Sequence, residues 1–223
     1  MKKNRSNIMR YYPKIWNGAR GFFVTGTDTG VGKTEVAAYL AESFSKKGFK
    51  VGTMKPIATG SSKDARILKA DPVISFRLPL APLVAGKVNK GRIWQAFEKL
   101  KANSDIVIVE GIGGVMVPIS GKGKKAFYVS NMISKMNLPA IIVARPNSGT
   151  INHTLMTIEV LRRKKIKIAG IIFNHSSRVK NDISIKTNPG IIQGLSGVKT
   201  LGVMHYNKNR SKRRMKWLKR IEF

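Results

Sequence analysis

The sequence predicts an α/β domain built on a doubly wound, mainly parallel sheet flanked by helices. Three observations carry that expectation. Short apolar runs at Gly21–Thr25, Ile106–Val109, Ala140–Ala144 and Lys167–Phe173 have the near-continuous hydrophobicity of strands covered on both faces. Stretches with helical spacing alternate with them, at Thr34–Lys47, Gly91–Ala102 and Thr150–Lys164. The chain has 223 residues of which 42% are apolar, enough for one sizeable core.

Taken in order, residues 1–20 (MKKNRSNIMRYYPKIWNGAR) read as a poorly packed basic extension, with a transit peptide as the alternative. A single domain is expected over 21–206 and a second basic tail over 207–223. Strand Gly21–Thr25 feeds a glycine-rich turn and then helix Thr34–Lys47, which stops at Gly48. Lys50–Met54 reads as a strand, closing a first βαβ unit, and Lys55–Ser62 as the loop beyond its carboxyl end. Asp64–Ala70 has helical character. Leu78–Pro82 (LPLAP) is excluded from regular helix by its prolines. In Gly91–Ala102 the residues Ile93, Trp94, Phe97 and Leu100 form one apolar face. Helix Phe127–Met136 and strand Thr200–Met204 complete the series, with Asn174 ending the strand that begins at Lys167.

Composition excludes several function classes. There is no cysteine, hence no disulfide, thiol nucleophile or thiolate-bound metal. No apolar run approaches the roughly 20 residues of a membrane span, and the amino terminus lacks the apolar core of a secretory signal, so a cytoplasmic protein without a membrane partner is expected. Net charge is +31. The first 21 residues hold six basic and no acidic side chains and the last 17 hold eight and one, so most of the excess lies in the body. Charge spread in this way fits a compositional bias as well as a polyanion footprint. No helix-turn-helix, RNA-binding sheet motif or zinc spacing accompanies it, and no specific nucleic-acid partner is expected.

The turn after the first strand carries the chemistry. Gly26-Thr27-Asp28-Thr29-Gly30-Val31-Gly32-Lys33-Thr34 lies between strand and helix, where a phosphate-binding loop belongs. Glycines let successive N–H groups converge on one anion, and the helix adds the positive end of its dipole. Lys33 is placed to reach the β- and γ-phosphates and the Thr34 hydroxyl to sit on Mg²⁺. The strict G-x-x-x-x-G-K-[ST] pattern is missed by one place, with Thr27 where glycine is required and Gly26 one residue earlier.

Six segments together resemble the dethiobiotin synthetase family, of P-loop NTPase type: GTDTGVGKT at 26–34, KPIATG at 55–60, LPLAP at 78–82, VEGIGGVMVP at 109–118, GTINHTLMT at 149–157 and GIIFN at 170–174. The offset in the phosphate loop is the family's own form, and the resemblance runs from about Phe22 to Tyr206. It implies an enzyme that joins CO₂ to 7,8-diaminopelargonic acid and closes a cyclic urea at the expense of ATP, with Mg²⁺ as cofactor and a homodimer as the working form. It implies nucleotide contacts from Thr29, Gly30, Val31, Gly32, Lys33, Thr34, Glu110, Gly111 and Gly113, with Asn174 reading the adenine. Metal ligation falls to Thr34, Asp64 and Glu110. Lys55, Lys33 and Thr29 act in catalysis. Substrate is held by Thr29, Lys55 and Thr59, and its carboxylate tail by the helix start Ser148, Gly149, Thr150, Ile151 and Asn152 across the dimer interface. Asp64 has the alternative of capping its helix, Asn174 of terminating its strand, and Lys55 of being one surface charge among many. His153 is expected to pack or cap near the start of its helix, without catalytic work, and Asn131 stands where an acid is expected. Two other readings of the chain remain at this point: a partition or septum-site type ATPase acting as a switch, and a polyanion-binding relative without turnover. The former carries K-G-G-x-G-K-T, whereas Thr27, Asp28 and Thr29 fill the early loop positions here.

Overall fold

The computed structural model describes residues 20–60, 63–175 and 183–206, with backbone alone at 63–65. The tails at 1–19 and 207–223 lie outside the described residues. Nine strands are present among those described: β1 (Gly21–Gly26), β2 (Val51–Thr59), β3 (Pro72–Phe76), β4 (Ile106–Gly114), β5 (Pro118–Ser120), β6 (Phe127–Tyr128), β7 (Ala140–Ala144), β8 (Ile168–Asn174) and β9 (Thr200–Met204). The helices are α1 (Lys33–Lys46), α2 (Lys63–Leu68), α3 (Pro82–Ala85), α4 (Lys90–Ala102), α5 (Val129–Met136), α6 (Thr150–Arg163) and α7 (Ser184–Ser196). None of them is long and apolar enough to cross a membrane.

Seven strands form one sheet in the order β3-β2-β4-β1-β7-β8-β9, and every neighbouring pair is parallel. The strands β5 and β6 make a separate antiparallel pair. The chain starts at β1, moves out to β2 and β3, returns with β4 beside β1, and then builds β7, β8 and β9 on the other side. The reversal of order therefore falls at β1, and the carboxyl ends beside such a reversal are where open parallel sheets bind ligands.

Two apolar layers cover the sheet. On one face Phe22, Val24, Ile106 and Ile108 pack with Val36, Ala37, Leu40 and Phe44 of α1 and with Leu68 of α2. On the other, Phe23, Val107 and Val109 pack with Ile93 and Phe97 of α4, Met132, Ile133 and Met136 of α5, Ile158 and Leu161 of α6, and Ile192 of α7. All residues of β1 and β7 are buried, as their unbroken apolar sequences require. The face read from α4 is right in kind: Ile93 and Phe97 are buried, while Trp94 and Leu100 are partly covered. Asn89 caps this helix by accepting from the Arg92 N–H at 3.2 Å.

Several expectations are corrected. The loop expected from Lys55 is strand: β2 runs on to Thr59 because β3, which periodicity did not reveal, pairs with Lys55 through Thr59. Pro56 lies beyond the stretch of β2 that pairs with β4, which ends at Met54, so its missing N–H breaks no bond there. β3 is a partly exposed edge strand that begins at a proline, and it shows little apolar signature. Phe127 and Tyr128 belong to a strand pair rather than to the helix that follows. Asn131 does the work expected of an acid, accepting from the Tyr128 N–H at 2.9 Å at the start of α5. Helix α7 has no clear sequence signal, since Pro189 interrupts it and three glycines fall within or directly after it. Packing sustains it: Ile192 is fully buried, and Asn188 donates to the carbonyls of Pro146 and Asn147.

At the carboxyl ends of β8 and β9, the His175 and His205 rings stack at 5.2 Å. Burial, and secondarily the neighbouring His205, lowers the pKa of His175 below the ordinary histidine value. In an unfolded chain this imidazole protonates first, so stability is full above about pH 6.5 and falls as pH drops below it. Melting curves taken from about pH 7.5 down to about pH 5 should show a steeper loss for the native chain than for His175→Phe. Equal slopes would show that the stacked pair does not couple to folding.

Candidate active site

The turn after β1 takes the shape the glycine pattern requires. Gly30 has φ +65° and Gly32 φ +91°, both in the left-handed region that favours glycine. At Gly32 space is also decisive: a Cβ there would stand 1.9 Å from Asn174 Nδ2. Helix α1 begins directly after Gly32, so the positive end of its dipole faces the loop. Lys33 and Thr34 are buried, at 7% and 5% exposure. The Lys33 ammonium arches back over the loop and donates to the Asp28 carbonyl at 2.9 Å. Asp28 in turn accepts the Thr29 N–H at 2.6 Å.

Beside the loop lies a buried polar cluster. Met54 of β2 is opposite Val109 of β4, so the next residues along, Lys55 and Glu110, are brought side by side at the end of that ladder. Lys55 is 3% exposed and Glu110 1%. Their ammonium and carboxylate form a direct ion pair on Oε1, and the same ammonium lies 3.4 Å from the Gly111 carbonyl. The Thr34 hydroxyl donates to Glu110 Oε1 at 2.7 Å. Thus α1, β2 and β4 deliver Thr34, Lys55 and Glu110 to one point at the mouth of the loop. The hydroxyl and carboxylate are hard oxygen donors of the kind that suits Mg²⁺ beside phosphate, so the donor set present fits that ion. The second carboxylate expected there, Asp64, falls in α2 with its side chain outside the described residues. Among the described residues no group of three or more histidine, cysteine or acidic side chains gathers for a metal.

The glycines after Glu110 act through their lack of bulk. A Cβ on Gly111 would approach Phe23 Cε1 to 2.7 Å, and one on Gly113, at φ +55°, would approach Val117 to 2.6 Å and stand 3.7 Å from the Thr29 methyl. Gly113 therefore sits close against the phosphate loop, and Gly26 of β1 is opposite Gly114.

Asn174 ends β8 and also reaches the loop. It is 1% exposed, and its Nδ2 donates to the Val31 carbonyl at 2.9 Å. Because a carbonyl can only accept, the nitrogen must face Val31, and Oδ1 is left buried without a hydrogen-bond partner among the described residues. Thr59 closes β2 and is half-buried. At the start of α6, Ser148, Gly149 and Asn152 are exposed, Ile151 is half-buried, and the Thr150 hydroxyl turns inward to Thr154 at 3.3 Å.

Two features were not foreseen. His153 is exposed rather than packed, and it lines a cavity of about 390 Å³ together with Thr27, Asp28, Met116, Met156 and Val160. The walls are largely apolar, and Met116 and Met156 are 51% and 60% exposed. The second feature is Arg145, just past β7, which donates to the Thr29 carbonyl at 3.0 Å. Neither falls within the site positions that the motifs named, and a single arginine in a chain this basic stands out only through its contact.

Glu110→Leu leaves the Lys55 ammonium buried without its carboxylate and should cost about 3–5 kcal/mol in urea unfolding, whereas Lys55→Met/Glu110→Leu together should recover most of that loss. Simple additivity of the two single effects would show that the side chains do not act as a pair.

A family model described as AAA domain matches residues 20–214. The chain is 44% identical over 212 residues to the ATP-dependent dethiobiotin synthetase BioD of Thermodesulfovibrio yellowstonii, covering 83% of this chain and 88% of that protein. It is 39% identical over 202 residues to the protein of the same name from Methanocaldococcus jannaschii, covering 82% and 92%. Among solved structures, the septum site-determining protein MinD complexed with Mg-ADP from Pyrococcus horikoshii superposes with a TM-score of 0.54 at 20% identity, over 84% of this chain and 82% of that one. That likeness shows a shared fold. By sequence identity across most of both chains, this chain belongs to the ATP-dependent dethiobiotin synthetase family.

Proposed function

We propose that the protein is a cytoplasmic dethiobiotin synthase that uses ATP and Mg²⁺ to carboxylate 7,8-diaminopelargonic acid and close it to dethiobiotin, releasing ADP and phosphate. The observation that carries this reading is the buried cluster of Lys55, Glu110 and Thr34 at the phosphate loop, in a chain whose relatives bear that activity in their names. One substrate amine takes up CO₂ and loses a proton, giving a carbamate. A carbamate oxygen attacks the γ-phosphate and ADP leaves. The second amine then attacks the carbamoyl carbon, closing the urea as phosphate departs. Such chemistry asks the protein mainly for positioning and fixed positive charge. Lys33 and the loop N–H groups hold the phosphates. Thr34, Glu110 and Asp64 would hold Mg²⁺, which when bound neutralises phosphate charge. Lys55 stabilises the carbamate and the charge that develops on the transferred phosphoryl group, with Thr29 and Thr59 beside the substrate. The buried Asn174 Oδ1 is an acceptor suited to the exocyclic amine of adenine.

The apolar cavity against Thr27 and Asp28 suits the aliphatic chain of the diamine, with its carboxylate received by a helix start, Ser148–Asn152, of a second subunit. The exposed methionines on its walls favour burial against that subunit. The basic segments 1–20 and 207–223 have no nucleic acid as a specific partner in this reading.

Phosphate release should depend on diaminopelargonate plus bicarbonate and yield a cyclic urea by mass spectrometry; substrate-independent hydrolysis without that product would overturn the reading. Lys55→Gln should lower kcat by roughly 10²–10³ with ATP affinity much less affected, while Lys47→Gln does almost nothing. Near-normal kcat in folded Lys55→Gln would remove Lys55 from the chemistry. Sedimentation at assay concentration should show a dimer, and a fully active monomer would exclude the shared site.

A further inference from the structure

The Thr29–Gly30 peptide of the phosphate loop is gripped from outside the loop. Arg145 leaves the carboxyl end of β7, the strand next to β1, and its Nη2 donates to the Thr29 carbonyl at 3.0 Å. The same nitrogen stands 3.4 Å from the position a Cβ on Gly30 would take. No cis peptide occurs among the described residues, so the Thr29 carbonyl and the Gly30 N–H point in opposite directions within one plane. A guanidinium on the oxygen therefore fixes the Gly30 N–H on the side away from Arg145. It also polarises that peptide, which strengthens the N–H as a donor.

Three of the loop's other carbonyls have holders of their own. Asp28 is held by Lys33, Val31 by Asn174, and Gly32 by the Val36 N–H of the helix. β7 also holds the loop through its backbone, the Val143 carbonyl accepting the Thr27 N–H at 3.0 Å. Arg145 adds a side-chain grip from just past that strand, and its own segment is anchored. Ala144 before it is fully buried. Asn188, 5% exposed, donates to the carbonyls of Pro146 at 2.9 Å and Asn147 at 3.3 Å. A guanidinium is always charged and has five N–H donors, so engagement with one carbonyl leaves others for an anion at the loop.

We propose that Arg145 is a positioning residue for the nucleotide: by clamping the Thr29 carbonyl it presents the Gly30 N–H to the phosphate chain and adds positive charge at that point. The proposal rests on the loop being the ATP site. Its test is equilibrium binding of ATP with Mg²⁺ to the full chain, alongside steady-state kinetics. Arg145→Ala should weaken ATP binding about tenfold, the equivalent of about 1.4 kcal/mol. KM for ATP should rise by a similar factor, with a much smaller change in kcat at saturating ATP. The melting temperature should stay close to that of the native chain, because the arginine is exposed. Arg145→Lys should regain much of the affinity, and guanidinium chloride at a non-denaturing concentration should partly restore Arg145→Ala. Native-like ATP binding by Arg145→Ala would overturn the proposal and leave the ATP site standing. So would a loss that tracks a lowered melting temperature and that neither Arg145→Lys nor guanidinium relieves. A native chain that binds no ATP would overturn the site itself and the proposal with it.

Discussion

The buried ion pair of Lys55 and Glu110 sets the terms for the rest of the site. Both groups are withdrawn from water, and an ammonium or a carboxylate so placed is tolerated only when paired and hydrogen-bonded. The pair exists because β4 returns between β2 and β1 rather than adding to the sheet edge. In that arrangement the residues after Met54 and Val109 become neighbours. A one-residue slip in the ladder would send one charge to the opposite face, against the apolar layer of Val107 and Val109. Register, sheet order and chemistry are thus a single constraint. Glu110 closes it by accepting the Thr34 hydroxyl, which ties the start of α1 to the same point.

The phosphate loop obeys a second rule that follows from its task. An anion cradle needs N–H groups turned inward, and every inward N–H leaves a carbonyl turned out. Those carbonyls must find donors of their own. Here they come from four directions: a side chain of the loop, the arginine beyond β7, the asparagine ending β8, and the backbone of α1. The neighbouring strands of the sheet therefore shape the cradle from behind as much as its glycines do from within.

Much of this was legible in the sequence, and the limits have physical causes. Strands covered on both faces declare themselves as apolar runs, so β1 and β7 were found within a residue, and the edge strand β9 was found as well. The G-K-T turn placed the phosphate loop, and the motif beginning KPIATG marked Lys55. What escaped lies where tertiary pairing overrides local signal. The strand β3 is a half-exposed edge that forms by pairing with β2, and the continuation of β2 through Pro56 depends on that same pairing. Helix α7 survives its proline through packing and the buried Asn188. Asn174 was expected to read adenine; its amide nitrogen also braces the loop, a contact between residues 143 apart that no local pattern encodes. The grip of Arg145 on Thr29 spans 116 residues and was invisible for the same reason.

The charge of the chain makes burial the sharper guide. With 42 basic and 11 acidic residues, a lysine or arginine near any feature carries little information. Exposed charges are solvated and largely screened from one another beyond a Debye length of about 8 Å at physiological salt. Burial removes that cover and exposes a group to selection by its neighbours. Among the described residues only two lysines are buried, Lys33 and Lys55, and only one carboxylate, Glu110. All three stand at the phosphate loop. Among the described residues an exposed lysine can be exchanged at little cost, whereas removing Lys55 or Glu110 alone leaves its partner as a bare charge inside the protein. The excess of +31 can therefore drift with composition while the buried charges described at the site keep a balance of their own, Lys33 and Lys55 against Glu110, and phosphate supplies the negative charge that this balance lacks.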